Sequence, residues 1–249
     1  MPRIKLIALL VGFSILTGSL FVYGQRFGRF GRTYIDQNNP PATELIIARW
    51  RFGGNGRFGN MGWSHNYPYS EQHIAQLISE TTSVDVNFRS YRIVELGSDD
   101  VFDYPFAYVS EPGEMALTLD EVENLRQFIN RGGFVLIDDF DGPDQFATMR
   151  DQFRRAFPEK EFISLNIGHP IFHSFFDLED LNVMAPYVPG GNSAYVALLN
   201  DKGDIAVIAC YNNDLANFWD WIDEARYPLR PSTEAFRMGI NFVVYSMTH

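Results

Sequence analysis

The sequence predicts an α/β protein built on a mainly parallel sheet with helices on both faces. Three observations predict it. Runs of strand length such as 45–50 (LIIARW) and 134–137 (FVLI) lack the apolar/polar alternation of a half-exposed strand and read as strands buried on both faces. Segments with apolar residues at helical spacing alternate with these runs, which is the pattern of strand, crossover helix and parallel strand. The connections between them carry helix caps and glycine stops where such units need them.

Taken in order, residues 45–50 are the first strand, and 51–69 (RFGGNGRFGNMGWSHNYPY) is a glycine-rich loop with aromatic residues. Ser70 is placed to cap a helix over 71–82. Residues 84–88 read as the second strand. Residues 101–104 lead through Pro105 into the third strand, 105–110 (PFAYVS). Thr118 and Glu121 form a capping box for the helix within 117–131, and Gly132-Gly133 stops that helix and feeds a strand ending in Asp138-Asp139. Phe146, Met149, Phe153 and Phe157 recur at helical spacing in 143–157, so they read as core. A strand over 162–165 runs to His169-Pro170. Residues 195–199 and 204–211, joined by Asn200-Asp201-Lys202-Gly203, read as a hairpin, and Ser232 caps a closing helix over 233–245.

Composition narrows the classes. The chain has 249 residues, 46% hydrophobic and 20% charged, which is ordinary globular content. Arg3 and Lys5 precede an apolar run over 6–23, with no acidic residue before Asp36, which is the layout of a secretory signal. Val22 and Gly24 suit a cleavage site that leaves Gln25 as the new terminus. Uncleaved, residues 4–23 would instead serve as a membrane anchor. Either outcome exports the rest, to the periplasm or the outside. Residues 1–24 are thus read as the signal, 25–43 as a linker and 44–249 as the folded domain.

Removing the signal takes the formal charge from -11 to -13. A body this acidic is a poor partner for nucleic acid. Arg26, Arg29 and Arg32 are the one basic concentration, read as a solvated linker with contact to an anionic surface as the sharper alternative. Cys210 is the only cysteine, so no internal disulfide forms, and its apolar surroundings suit a buried thiol rather than a nucleophile.

In open parallel sheets, ligands sit at the carboxyl ends of the strands near a switch in strand order. The segments expected there are 51–69, 110–114, 138–141, His169 and 211–214. From them Arg51, Trp63, His65, Tyr67, Glu111, Asp138, Asn212 and Asp214 are the candidate ligand contacts, and Asp139 with His169 the candidate acid/base pair. The aromatic residues of the loop suit stacking on sugar faces; the alternative is a lid folded over the sheet. Asp138 and Asp139 are strand neighbours, so their side chains diverge unless the chain turns sharply.

No cofactor motif is present: the glycines fit neither a dinucleotide fingerprint nor a phosphate loop, and the segment from Asp139 has Arg150 where an EF-hand needs glutamate. His169 and His173 are separated by Pro170 and do not form a zinc pair. A divalent metal held by Asp138, Asp139, Asp141 and His169 stays open.

The motifs YPFAYVS, NRGGFVLIDDFDG, AFPEKEF, GHPIFHSFF, YNND and GINFVVYSMTH, in this order over about 44–249, resemble the DUF4159 family, bacterial proteins of unknown function. That resemblance implies a flavodoxin-like three-layer sandwich similar to class I glutamine amidotransferases and the ThuA-like proteins, with a C-terminal hairpin and helix added. Amidotransferases carry a nucleophilic cysteine on an elbow after the Gly-Gly strand; here Asp138 and Asp139 stand there, so glutaminase chemistry is not expected. Three functions follow as expectations. The first is an exported non-catalytic module that binds a carbohydrate or small molecule or serves in assembly. The second is an exported hydrolase of carbohydrate or cell-wall material, and the third a membrane-tethered scaffold.

Overall fold

A computed structural model describes residues 38–54, 61–182 and 192–249. The expected signal, most of the linker, and the part of the glycine-rich loop over 55–60 lie outside the described residues. Among those described, no helix is long and apolar enough to cross a membrane.

The strands are β1 (Ile47–Arg51), β2 (Tyr91–Glu95), β3 (Phe106–Ser110), β4 (Phe134–Phe140), β5 (Ile163–Ser164), β6 (Ala194–Leu199) and β7 (Ile205–Tyr211). They form one sheet in the order β2-β1-β3-β4-β7-β6-β5. The first five in that order are parallel, and β6 and β5 extend the sheet antiparallel. The parallel part has flavodoxin-like order, with the switch between β1 and β3. The helices are α1 (Tyr69–Thr81), α2 (Leu119–Asn130), α3 (Gly142–Ala156), α4 (Leu215–Asp220) and α5 (Leu229–Thr248). Helices α1, α4 and α5 pack together over one face, burying Ile74, Ile78, Trp219 and Phe242 with Tyr108 and Leu136 of the sheet. Helices α2 and α3 pack on the other, where Phe128 meets Trp50 edge-on with ring centres 4.8 Å apart. The three-layer α/β sandwich expected from the sequence is therefore present.

The unit around β4 follows its local chemistry closely. Thr118 Oγ1 accepts from Glu121 N (3.2 Å) while the Glu121 carboxylate accepts from Thr118 N (2.7 Å), the reciprocal capping box. At the other end Gly133 N donates to Phe128 O and Gly132 N to Ile129 O, a Schellman closure, with Gly132 at φ 92°. Gly133 leaves room that the Phe128 ring fills; a Cβ there would lie 2.4 Å from it.

Four local expectations change. Residues 84–88 are not a strand: only Val86 of their apolar positions is buried, Phe88 is exposed, and turns at Asn87–Ser90 end the segment. The second strand is β2, because Tyr91, Ile93 and Val94 supply the two buried faces that a parallel neighbour of β1 needs. Ser70 lies inside α1 rather than capping it, and Ser232 lies inside α5, which starts earlier and carries Pro231 in its first turn. Helix α4 was not foreseen. The domain also begins before residue 44, since Asn38 donates to the carbonyls of Arg89 (2.7 Å) and Tyr91, and Thr43 bonds Ser90 at 2.8 Å.

Candidate functional site

The carboxyl ends of β1, β3 and β4 converge at the switch in strand order. Ser110, the last residue of β3, pairs in register with Asp138 of β4. After Asp138 the strand breaks register between Ile137 and Phe140, and Asp139 takes φ 62°. This bulge re-aims Asp139 so that its Oδ2 accepts from Ser110 Oγ at 3.0 Å, on the face that Asp138 also uses. The two carboxylates do not diverge; the sharp turn that would bring them together is there.

His65 completes the centre. Its Nδ1 lies 2.5 Å from Asp139 Oδ2, while the side chain as a whole is about half exposed (48%). Asp214, the N-cap of α4 through Asn217 N (2.8 Å), shares a hydrogen bond with Asp139. Below them Asp138, fully buried, accepts from Tyr108 Oη (3.0 Å) and Ala216 N (2.9 Å) on one oxygen, and its other oxygen has no protein partner. Glu111 follows β3 at φ 51°, and Gly62 packs so close to Glu111 and Glu114 that a Cβ would meet them at 2.8 and 2.5 Å. Among the described residues, four of the five non-glycine residues with positive φ (Asn66, Glu111, Asp139 and Asn212) belong to this edge. Left-handed backbone at such residues costs energy that the surroundings must offset, and it concentrates at functional sites.

The electrostatics separate the acids. Burial pushes Asp139 up, but the hydrogen bond and charge of His65, with the bonds from Asp214 and Ser110, outweigh it and hold the group below the usual aspartate value. Burial lowers His65, yet Asp139 and then Glu111 outweigh it and raise the imidazole. Burial, followed by the charge of Asp139, raises Glu111 to about 8. Burial raises Asp138 to about 6, with Asp139 adding to it and the Ala216 and Leu215 amides opposing. Near neutral pH the edge thus holds an ionised Asp139 beside a protonated Glu111.

His65 Nδ1 and one carboxylate oxygen each from Asp139 and Asp214 lie within 4.8 Å of one another, a spacing a small cation can use. In the geometry observed, His65 Nδ1 and Asp139 Oδ2 lie at hydrogen-bond distance from each other, 2.5 Å.

Other sequence candidates are placed differently. His169 is not brought to Asp139. It accepts from Ile171 N (3.2 Å) and packs on Tyr245, which touches the first residues of β4 and β7, at the opposite end of the sheet. Its segment follows β5, which lies across the antiparallel pair and far from the switch. The metal set that included it is not assembled. Trp63 is only 3% exposed and so offers no open sugar-stacking face, while Tyr67 is half-buried and packs edge-on against Tyr91 at 5.6 Å. Arg51 pairs with Glu95 and lies over the Trp63 ring. Asn212 spends its amide on Gly142 N (3.0 Å) and Asn192 O (3.2 Å), tying α3 to the end of β7. Cys210 is buried, with its thiol pushed up by burial and then by Asp138.

Ser110 lies in the segment 110–114 expected at the site but was not singled out there, and sequence reasoning missed Tyr108, Glu71 and Arg49. A charged residue within the run LIIARW was the one signal for Arg49. Nothing local marks the others.

The family model for a domain of unknown function, DUF4159, matches residues 47–247, and the chain belongs to that family. No curated protein matches it.

Proposed function

We propose that this member of the DUF4159 family is an exported hydrolase that acts on a neutral, hydroxyl-rich substrate of the carbohydrate class. The observation that carries the reading is the His65 to Asp139 hydrogen bond at the strained end of β4, where an open α/β sheet presents a ligand to its strand ends. The resemblance to amidotransferase-like proteins would put this aspartate where those enzymes carry the elbow cysteine.

The chemistry follows from the separated acids. Asp139 takes a proton from water as the water oxygen attacks the carbon of the scissile C–O bond. Glu111 gives its proton to the departing oxygen, and exchange with solvent restores both groups. His65 keeps Asp139 ionised. The acidic edge disfavours phosphates and carboxylates and is compatible with neutral hydroxylated ligands. The apolar run over residues 6–23 supports export.

The test is incubation of the purified protein with neutral oligosaccharides and cell-wall fragments, with and without added divalent cation, reading new reducing ends. Turnover that Asp139→Asn abolishes supports the hydrolase. Binding without turnover, lost in the same variant, would support the non-catalytic binding module instead. Neither binding nor turnover sinks both.

A further inference from the structure

Arg49 stands in the middle of β1 with its side chain fully buried, where a parallel central strand calls for an apolar residue. Its guanidinium lies 4.2 Å from the centre of the Tyr108 ring and uses its donors on four partners. It reaches Glu71 at 2.5 Å, Ser70 Oγ at 3.1 Å, and the carbonyls of Trp63 (3.1 Å) and His65 (2.9 Å). A buried ion pair is a weak source of stability, since apolar side chains of similar volume serve as well or better. What an apolar pair cannot do is donate to two carbonyls of the loop that follows β1. Those carbonyls lie two residues apart, at the first and last of Trp63, Ser64 and His65, just before Asn66.

We infer that Arg49 is a positioning residue: by gripping the Trp63 and His65 carbonyls from the sheet, it presents the His65 imidazole to Asp139. The inference rests on the His65 to Asp139 pair being the functional centre, but not on the reaction assigned to it. Arg49 is fully buried and so lies out of reach of a bound ligand. Its Glu71 and Ser70 partners, both on α1, hold the planar guanidinium so that the other edge faces the loop. Lysine has one point charge on a flexible stem and cannot serve both directions.

The test is imidazole nitrogen NMR on the full chain, at a pH where His65 is neutral, for wild type, Arg49→Lys and the double variant Arg49→Met with Glu71→Leu. The wild type should show His65 protonated on Nδ1, the nitrogen that faces Asp139. In a folded variant the ring should lose this bias and populate the Nε2-protonated form. If a substrate is in hand, kcat should fall about 100-fold with KM little changed. A wild type without the Nδ1 proton, a folded variant that keeps it, or failure of both variants to fold would overturn the assignment, the last because Arg49 would then serve the whole domain. Loss of the tautomer in a protein that hydrolyses nothing would support the role of Arg49 and sink only the hydrolase.

Discussion

His65 and Asp139 are 74 residues apart in the chain and meet at 2.5 Å through Nδ1 and Oδ2. One comes from the loop after β1 and the other from the bulged end of β4, so the contact exists only because the crossover order sets these ends on either side of β3. Ser110 at the end of β3 bonds the same carboxylate oxygen from between them.

That pair has a pH window. Asp139 is held below its ordinary value of 3.8, so its contribution to stability is complete above that value and is lost as pH falls through the folded one. His65 is held above 6.5, so its contribution is complete below that value and is lost as pH rises through the folded one. Both are complete between about pH 4 and 6.5. We expect His65→Gln to cost about 1 kcal/mol in this window, with the half-exposed side chain discounted for solvent screening, and less on either side. Urea unfolding of both proteins from pH 3 to 9 reads the difference directly.

Glu111 acts in the opposite sense. Its raised value of about 8, against 4.5 when unfolded, means that the native state is progressively disfavoured as pH rises between the two. Glu111→Gln should flatten this decline and be the more stable protein at pH 8.5, by on the order of 1 kcal/mol after screening. Equal slopes for the two proteins would contradict the raised value. In the hydrolase, the same variant should lose its alkaline limb of activity along with most of its rate.

Breaking the buried pair from the other side should be severe. Glu71→Ala leaves Arg49 charged and short of a partner, and we expect a loss of about 3–5 kcal/mol in chemical denaturation. A loss below about 1 kcal/mol would show that solvent reaches the guanidinium.

Gly133→Ala should cost about 1–3 kcal/mol, because its Cβ would sit 2.4 Å from the Phe128 ring, which is itself pressed against Trp50. Thr118→Ala, which removes only the cap of α2, should cost about 1 kcal/mol. Thermal melts of the two variants side by side would order them.

Much of the frame was legible because its signals are short-range. The Thr118–Glu121 box, the Gly132-Gly133 stop and the hairpin through Asn200 each depend on residues within a few positions of one another, and each is found as expected. The second strand was misplaced because SVDVNF and YRIVE both suit strands, and only pairing with β1 chooses between them. Of the site, Asp139, His65, Glu111, Asp138 and Asp214 were named from the rule that strand ends carry ligands. His169 was named by the same rule and failed it, because β5 lies beyond the antiparallel β6 and its loop leads away from the switch.

By itself, then, the sequence determined the α/β class, the order of most elements and which loops carry polar groups, since periodicity and capping are written within a turn or two of chain. Only the tertiary structure decided that Asp139 takes His65 rather than His169, that a bulge turns Asp139 onto the side of Asp138, and that Trp63 is buried while Glu111 is left to hold a proton. Those outcomes depend on register, crossover and burial, which join residues tens of positions apart and leave no periodic mark in the chain.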